Sequence, residues 1–229
     1  LFVDGASLFE LQAKGNGADV VIGSANVAAD KKLYLDSQLG GVGVTGVVNV
    51  DTNGLLQIDT MPYDVNNNNV ALASVGGTIN NAGTVSINAG RVSLQDVINS
   101  ATATTNVFAG TSVSAKSITN SGTLKVAYVD LGSAVDSLNV AGNIVNNAGT
   151  MDLLATDMTA YGISVNGGKL LLHVPNSLDV TGGTIYANGS VNQGGAAGAL
   201  NLVGGSDDTE IAQYSVFAND FSVTGDFIA

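Results

Sequence analysis

The stretch TINNAGTVSI, residues 78–87, decides the fold, because similar stretches recur along the chain. SITNSGTLKV follows at residues 117–126, and NIVNNAGTMDL at residues 143–153. Each copy has an apolar residue, then asparagine, then a small residue with Gly-Thr, and finally a second alternating apolar run. Looser copies are VVNVDTNGLLQI (47–58), ISVNGGKLLLHV (163–174) and LDVTGGTIYANGSV (178–191). Similarity at a regular interval indicates a repeat architecture.

The interval between copies can be measured from one apolar anchor in each. The anchors are Ile58, Ile79, Ile98, Ile118, Ile144, Ile163, Ile185 and Phe227. Neighbouring anchors lie 19 to 26 residues apart, except for a last gap of 42, which is two intervals of 21. The sequence therefore repeats about every twenty residues.

Within each repeat, the alternation of apolar and polar residues predicts short strands with one buried face. Glycine and asparagine between the strands supply the corners. This pattern predicts an all-β fold, a β-solenoid (parallel β-helix) of roughly twenty-residue coils stacked about 4.8 Å apart. The alternative is a β-sandwich, which also contains evenly spaced short strands. Residues 46–229 are assigned to the solenoid, and residues 1–45, which fit the period poorly, to an N-terminal cap or decorating segment.

Two sets of motif residues carry more specific expectations. Asn80, Asn120 and Asn147 occupy matching places, where they could form an amide ladder or act as separate turn residues. The glycines of the Gly-Thr pairs are expected at equivalent corners, in conformations that a Cβ would disfavour. These glycines are Gly83, Gly122 and Gly149.

The composition excludes several classes of function. The net charge is −12 and Arg91 is the only arginine, so the clustered cations that bind nucleic acid or anionic membranes are not expected. Because there is no cysteine, disulfides and zinc–thiolate sites are ruled out. No apolar run reaches the roughly 18 residues of a helical membrane span.

Catalytic chemistry has few candidate residues. His173, the only histidine, closes the run LLLH, and the sequence gives it no relay partner. Asp152, Asp157 and Asp179 could supply the carboxylate pair of a glycosidase. Only Lys169 adds a basic group near them in sequence, whereas a lyase acting on an acidic polymer would want several. No catalytic residue is therefore assigned, and the chain is expected not to be an enzyme.

The densest acidic cluster is GGSDDTE, residues 204–210. Its carboxylates Asp207, Asp208 and Glu210 are hard oxygen ligands of the kind that Ca²⁺ prefers. The stretch matches neither an EF-hand loop nor the glycine-rich nonapeptide of calcium-binding β-rolls. It is interpreted either as a calcium site or as a solvated acidic loop, and Ca²⁺ is the one candidate cofactor.

The segments NNAGTV, TNSGTL and NNAGTM resemble the degenerate repeats of filamentous haemagglutinins, autotransporter passengers and related bacterial surface β-helix proteins. The resemblance covers roughly residues 47–191. It implies secretion, an elongated β-helix, and a role in adhesion or surface-layer building at an extracellular or cell-surface location. It implies no catalytic residue, because those repeats have none.

The leading functional prediction is a non-enzymatic extracellular structural subunit or adhesin that self-assembles into a fibre or surface array. The sequence opens with LFV and closes with FIA, without the charges that usually block edge pairing. A homo-oligomer or polymer joined through the terminal strands is therefore expected. The alternatives are a carbohydrate-active β-helix enzyme, either a polysaccharide lyase or a glycosidase, or a glycan-binding module whose partners are surface glycans.

Overall fold

The computed structural model describes residues 1–5, 7–14, 17–38, 40–60, 71–128, 134–174 and 176–181. Beyond residue 181 it describes the backbone of 185–187, 190–192, 199–204, 212–217, 220–223 and 227–228. Every regular element in these ranges is a β-strand, and no helix occurs in them. The prediction of an all-β fold is confirmed.

The described chain contains 25 strands. The first twelve are β1 (Phe2–Val3), β2 (Leu8–Ala13), β3 (Val20–Ile22), β4 (Ala25–Val27), β5 (Lys32–Ser37), β6 (Val42–Val44), β7 (Val48–Val50), β8 (Leu55–Thr60), β9 (Leu72–Val75), β10 (Ile79–Asn81), β11 (Thr84–Leu94) and β12 (Asp96–Asn99). The others are β13 (Thr104–Ala115), β14 (Ser117–Asn120), β15 (Thr123–Tyr128), β16 (Val135–Asn146), β17 (Thr150–Val165), β18 (Lys169–His173), β19 (Ser177–Val180), β20 (Ile185–Ala187), β21 (Ser190–Asn192), β22 (Ala199–Gly204), β23 (Ala212–Phe217), β24 (Asp220–Val223) and β25 (Phe227–Ile228).

Parallel pairing between successive coils divides the stack into three faces. Face A contains β1, β4, β7, β10, β12, β14, the ends of β16 and β17, β20 and β25. Face B contains β2, β5, β8, the starts of β11 and β13, β15, the start of β17, β18 and β23. Face C contains β3, β6, β9, the ends of β11 and β13, the start of β16, the middle of β17, β19 and β24.

The stacked coils lie about 21 residues apart and make about 8 turns. The β-solenoid prediction is therefore confirmed. The alternative β-sandwich is wrong, because its sheets are built from antiparallel strands, whereas successive coils pair in parallel on all three faces here. The long strands β11, β13, β16 and β17 each continue around a corner from one face to the next. The register shift of β16 against β17 between Val140 and Asn143 marks one such corner.

A column of residues in register on face A, buried up to Ile163 where side chains are described, tests the anchors chosen from the sequence. Its register runs through Ala25, Val48, Ile79, Val97, Ile118, Ile144, Ile163, Ile185 and Phe227. Six of the eight anchors belong to it. Ile98 is wrong by one residue, because Val97 fills the column while Ile98 is 44% exposed. Ile58 lies instead on face B beside Ile87, since the same alternation occurs on every face.

The described strands of segment 1–45 pair with the coils that follow them, and the assignment of this segment as a cap or decoration stays a prediction. β3, β4 and β5 pair in register with β6, β7 and β8 of the next coil. Ala25, Val27, Leu33 and Leu35 fill the interior there and are at most 1% exposed. The segment lacks the Gly-Thr motif, but stacking requires only the alternation of buried and outward residues.

A ladder of buried asparagines runs along the inside of face A. The Nδ2 of Asn81 donates to the Oδ1 of Asn99 at 3.0 Å. In the same way Asn99 donates to Asn120, and Asn120 to Asn146, both at 2.8 Å. All four side chains are at most 1% exposed, so each rung satisfies polar groups that water cannot reach. The ladder position is taken by Val50 in the coil before it and by Val165 in the coil after it.

The predicted ladder of Asn80, Asn120 and Asn147 is correct only at Asn120. Asn80 faces outward and donates to Asn49 of the adjacent coil at 2.8 Å, in a separate exposed row. Asn147 is part of a corner and accepts from Asn166 at 2.8 Å. The NIVNNAGT copy has one more residue between its isoleucine and its glycine than the SITNSGT copy. Aligning the copies on Gly-Thr therefore displaces the asparagine by one position.

The glycines of the Gly-Thr pairs occupy equivalent corners, as predicted, because the threonines that follow them pair in register. The reason for glycine differs among them. Gly149 has φ +66°, which disfavours any side chain. At Gly122 a Cβ would lie 2.3 Å from the carbonyl oxygen of Ser100, and at Gly83 it would lie 2.4 Å from that of Asp51. Close approach of the neighbouring coil therefore excludes a side chain at both positions.

One antiparallel hairpin is inserted into the parallel stack. β21 pairs with β22, and β22 pairs in turn with β23 on face B. Because β18 pairs with the other edge of β23, β22 and β21 extend face B beyond its last described coil. Among the described residues, no helical segment has the length and apolar character required to cross a bilayer.

Candidate functional site

The candidate site lies on the outward side of face B, where β15, the start of β17 and β18 form three successive rungs. Alternate side chains of these strands are buried in the core, which leaves the residues between them on the outward side. Lys125 of β15 and Asp152 of β17 are paired directly in register. Leu171 of β18 takes the same position on the third rung.

Two further basic side chains flank Asp152 from the third rung. Lys169 and His173 stand two residues before and two residues after Leu171 in β18, so they are its outward neighbours along the strand. Both are exposed, whereas Asp152 is half-buried. The rungs are about 4.8 Å apart. The Asp152 carboxylate therefore has Lys125 directly beside it on one rung, and Lys169 and His173 diagonally across from it on the other.

The electrostatics of Asp152 reflect these surroundings. Burial raises the pKa of Asp152 above its ordinary value, because removal from water disfavours the charged form. The positive charges of Lys125, His173 and Lys169 act on this pKa in the opposite direction. All three groups are therefore close enough to the carboxylate to share one electrostatic environment.

This cluster concentrates basic groups in an acidic chain. The whole sequence has 7 lysines and arginines and 1 histidine, with a net charge of −12. Two of those lysines and the single histidine lie around Asp152. Ammonium and imidazole groups donate charge-assisted hydrogen bonds to anions, and a carboxylate accepts hydrogen bonds from hydroxyl groups. The arrangement can therefore hold a ligand that carries both an anionic group and hydroxyls.

Of the three aspartates considered for glycosidase chemistry, Asp157 and Asp179 are diagonal neighbours on adjacent coils, and Asp152 lies apart from them. Asp157 and Asp179 lie on face C, in register with Ser177 and Thr159, whereas Asp152 lies on face B. Hydrogen bonds from Ser177 (2.6 Å) and Asn176 (2.5 Å) hold the pKa of Asp157 below its ordinary value. A general acid in a glycosidase needs the opposite shift. The arrangement therefore does not favour Asp157 in that role.

Asp96 is another aspartate whose hydrogen bonds link two neighbouring coils. Its carboxylate accepts a hydrogen bond from the Ser117 hydroxyl at 2.7 Å and forms an ion pair with Lys116 at 3.0 Å. The hydrogen bond from Ser117, followed by that from Lys116, lowers the pKa of Asp96. Asp157 has the same relation to Ser177 of the next coil. Both aspartates are thus engaged in structural contacts.

An open depression of about 390 Å³ lies on face C of the early coils. Gly43 stands in register between Val21 and Ser74 and leaves the column without a side chain at that rung. The Asp19 carboxylate accepts a hydrogen bond from the backbone N–H of Gly41 at 2.6 Å. The depression therefore follows from missing side chains, and its one carboxylate is already engaged by the backbone.

The predicted calcium ligands Asp207, Asp208 and Glu210 lie outside the described residues, so the calcium site stays a prediction. Within the part of the chain whose side chains are described, no three His, Cys, Asp or Glu residues are grouped so that they could hold a metal ion.

Sequence reasoning connected only Lys169 with these aspartates and missed Lys125 and His173 as neighbours of Asp152. Lys125 precedes Asp152 by 27 residues, so closeness in sequence does not reveal the contact. The repeat itself carried the signal, because Lys125 and Asp152 both stand two residues after the threonine of a Gly-Thr pair. Stacked copies of a motif place equivalent residues side by side.

No family model matches the sequence, and comparisons with curated proteins and with solved structures likewise gave no match.

Proposed function

We propose that this chain is a non-enzymatic structural subunit or adhesin of an extracellular surface, and that it self-assembles end to end into a fibre or array. The observation that most supports the proposal is the outer edge of β2, in the first coil that the structure describes. β2 pairs with β5 on one side, and no other described strand pairs with it. The backbone N–H and C=O groups along a sheet edge of this kind are a template for a further strand, which a second copy of this chain could supply.

The same edge also exposes part of the apolar interior. Phe9 stands in register with Leu33 in one column of face B. Leu33 is fully buried, whereas Phe9 is 37% exposed and Leu11, the next inward residue of β2, is only partly buried. A coil from a second copy would cover this apolar surface and pair the free edge, which is β-augmentation. Both contributions favour association at this end of the stack.

The remainder of the stack has the properties of a rigid spacer. About 8 turns at a rung spacing of about 4.8 Å give a rod roughly 40 Å long. A head-to-tail joint between such rods does not close on itself, so it propagates into a filament. The extracellular location is supported by the resemblance of the NNAGTV-type repeats to bacterial surface β-helix proteins.

Assembly can be tested by sedimentation velocity and negative-stain electron microscopy of the 229-residue chain. We expect concentration-dependent filaments, and we expect Phe9→Lys to reduce assembly because it places a charge in the apolar joint. Val21→Lys is the matched control, since Val21 belongs to a nearby strand and is 64% exposed on the outward side of face C.

The melting temperature of each variant separates lost assembly from lost folding. A Phe9→Lys chain that melts like the control and remains monomeric would support the proposed joint. The proposal is wrong if the unmodified chain stays monomeric at all concentrations, or if Phe9→Lys assembles as well as Val21→Lys does.

A further inference from the structure

We propose that the outward side of face B binds an anionic polysaccharide, whose carboxylate or sulfate groups contact Lys125, Lys169 and His173 while its hydroxyl groups donate hydrogen bonds to Asp152. This inference goes beyond the proposed structural function, because binding at this site does not require assembly. It names a class of ligand for one surface of the solenoid.

The mixed charge of the cluster favours this class of ligand. A site for an isolated anion gains nothing from a carboxylate at its centre, because like charges repel. Asp152 nevertheless lies between Lys125 on one rung and Lys169 and His173 on the other side. A sugar acid satisfies both parts of the cluster, since it carries an anionic group next to hydroxyl donors.

A row of hydroxyl groups leads away from the cluster along the stack. Thr84, Thr104, Thr123 and Thr150 are in register on face B, and Lys169 continues their row on the next rung. All four threonines are at least partly exposed. They present a hydroxyl about every 4.8 Å, which suits a linear hydroxylated polymer lying along the axis of the solenoid.

The other charges on face B limit how densely the ligand can be charged. Glu10, Asp36 and Asp59 are outward residues of β2, β5 and β8, at the far end of the same face. They would repel a uniformly charged polyanion such as nucleic acid, which also needs an extended set of cations. A polymer whose anionic groups are separated by neutral hydroxylated units can contact the basic groups around Asp152, and the carboxylates at the far end of face B repel it less than they repel a uniformly charged polyanion.

The test uses immobilised polygalacturonate, dextran sulfate and unmodified dextran as probes, with binding of the 229-residue chain measured at low and high salt. We expect binding to at least one charged polymer that weakens as salt screens the contacts, and no retention on unmodified dextran. Polygalacturonate carries carboxylates and dextran sulfate carries sulfates, so the two arms identify which anionic group is recognised.

Variants assign the binding to the cluster. Lys125→Gln and Lys169→Gln should each lower the affinity about tenfold, since each removes a charge-assisted hydrogen bond. Lys116→Gln is the matched control, because Lys116 is a 62% exposed lysine paired with Asp96 away from face B. Asp152→Asn keeps an acceptor for hydroxyls but removes a negative charge, so it should preserve or strengthen binding.

Two results would overturn the inference. One is failure of the unmodified chain to bind either charged polymer at low salt. The other is an equal loss of affinity in Lys116→Gln and in the two face B variants, which would indicate a general charge effect. Monomeric chain prepared from Phe9→Lys should bind as well as the unmodified chain, so failure of the assembly proposal and failure of this one are distinguishable.

Discussion

Replacing Asn120 by valine should show how much the buried amide ladder contributes to stability. Asn120 accepts from Asn99 (2.8 Å) and from the backbone N–H of Gly122 (3.2 Å), and it donates to Asn146 (2.8 Å). Valine already fills the equivalent position as Val165 two coils further along the stack, so the backbone accepts this residue type. The substitution therefore tests the hydrogen bonds rather than the shape of the site.

The magnitude follows from the groups that lose a partner. Asn99 keeps its hydrogen bond to the carbonyl oxygen of Thr123 at 2.9 Å, so it is not left without an acceptor. The N–H of Gly122 and the Oδ1 of Asn146 each lose the Asn120 contact, at about 1–3 kcal/mol for a buried group. Burying the valine methyl groups recovers roughly 1–2 kcal/mol of the unfolding free energy lost with these hydrogen bonds. We expect a net loss of about 1–4 kcal/mol in the free energy of unfolding.

The assay is equilibrium unfolding in urea followed by circular dichroism, compared with Asn80→Val. Asn80 is the adjacent residue, but its amide lies on the exposed side and donates to Asn49 at 2.8 Å in contact with water. Surface changes of this kind usually cost less than about 0.5 kcal/mol. The reasoning is refuted if Asn120→Val and Asn80→Val lower the unfolding free energy by the same amount.

Four further predictions concern stability. Gly122→Val should destabilise by well over ~1 kcal/mol in the same assay, whereas Gly23→Ala, where a Cβ would have no atom within 4 Å, should be tolerated. Asp157→Asn should lower the melting temperature at neutral pH. The pKa of Asp157 is lower in the fold than its value near 3.8 in the unfolded chain, so the ionised carboxylate stabilises the fold at pH values above 3.8. The difference in melting temperature between Asp157→Asn and the unmodified chain should therefore disappear as the pH falls through the folded-state pKa. Asp152→Asn should not lower the melting temperature at neutral pH, because the raised pKa of Asp152 means that its ionised form is disfavoured in the fold. If Asp207, Asp208 and Glu210 bind calcium, chelation should lower the melting temperature and added calcium should restore it; a melting curve indifferent to both treatments would contradict the site.

The sequence was sufficient for the class of fold because each coil repeats the same physical requirement. The column through Ile79, Ile118, Ile144 and Ile163 was recognisable, since large apolar residues recur at one position. The early coils were not recognised, because their interior uses residues such as Ala25 and Val27 without a Gly-Thr corner. A periodic pattern gives the repeat length, but it does not say which face a strand joins.

The candidate site was harder to predict than the fold, because it depends on register across coils. A one-residue difference in corner length moved the buried amide from Asn147 to Asn146. The same register places Lys125 beside Asp152, although they belong to different copies of the motif. Residues that act together in a solenoid are separated by a coil length, so only an alignment correct to the residue would have brought them together.

The spacing of backbone partners also bears on how the chain folds. Paired strands lie about 21 residues apart in a chain of 229, a ratio of about 0.09, which is in the range of rapidly folding helical bundles rather than of most β proteins. Each new coil needs only its predecessor as a template, so one nucleus can grow by successive additions. The coils joined by Asn81, Asn99, Asn120 and Asn146 gain buried amide hydrogen bonds, whereas the asparagine row through Asn49 and Asn80 is partly exposed to water, so the buried ladder is the expected starting point of that growth.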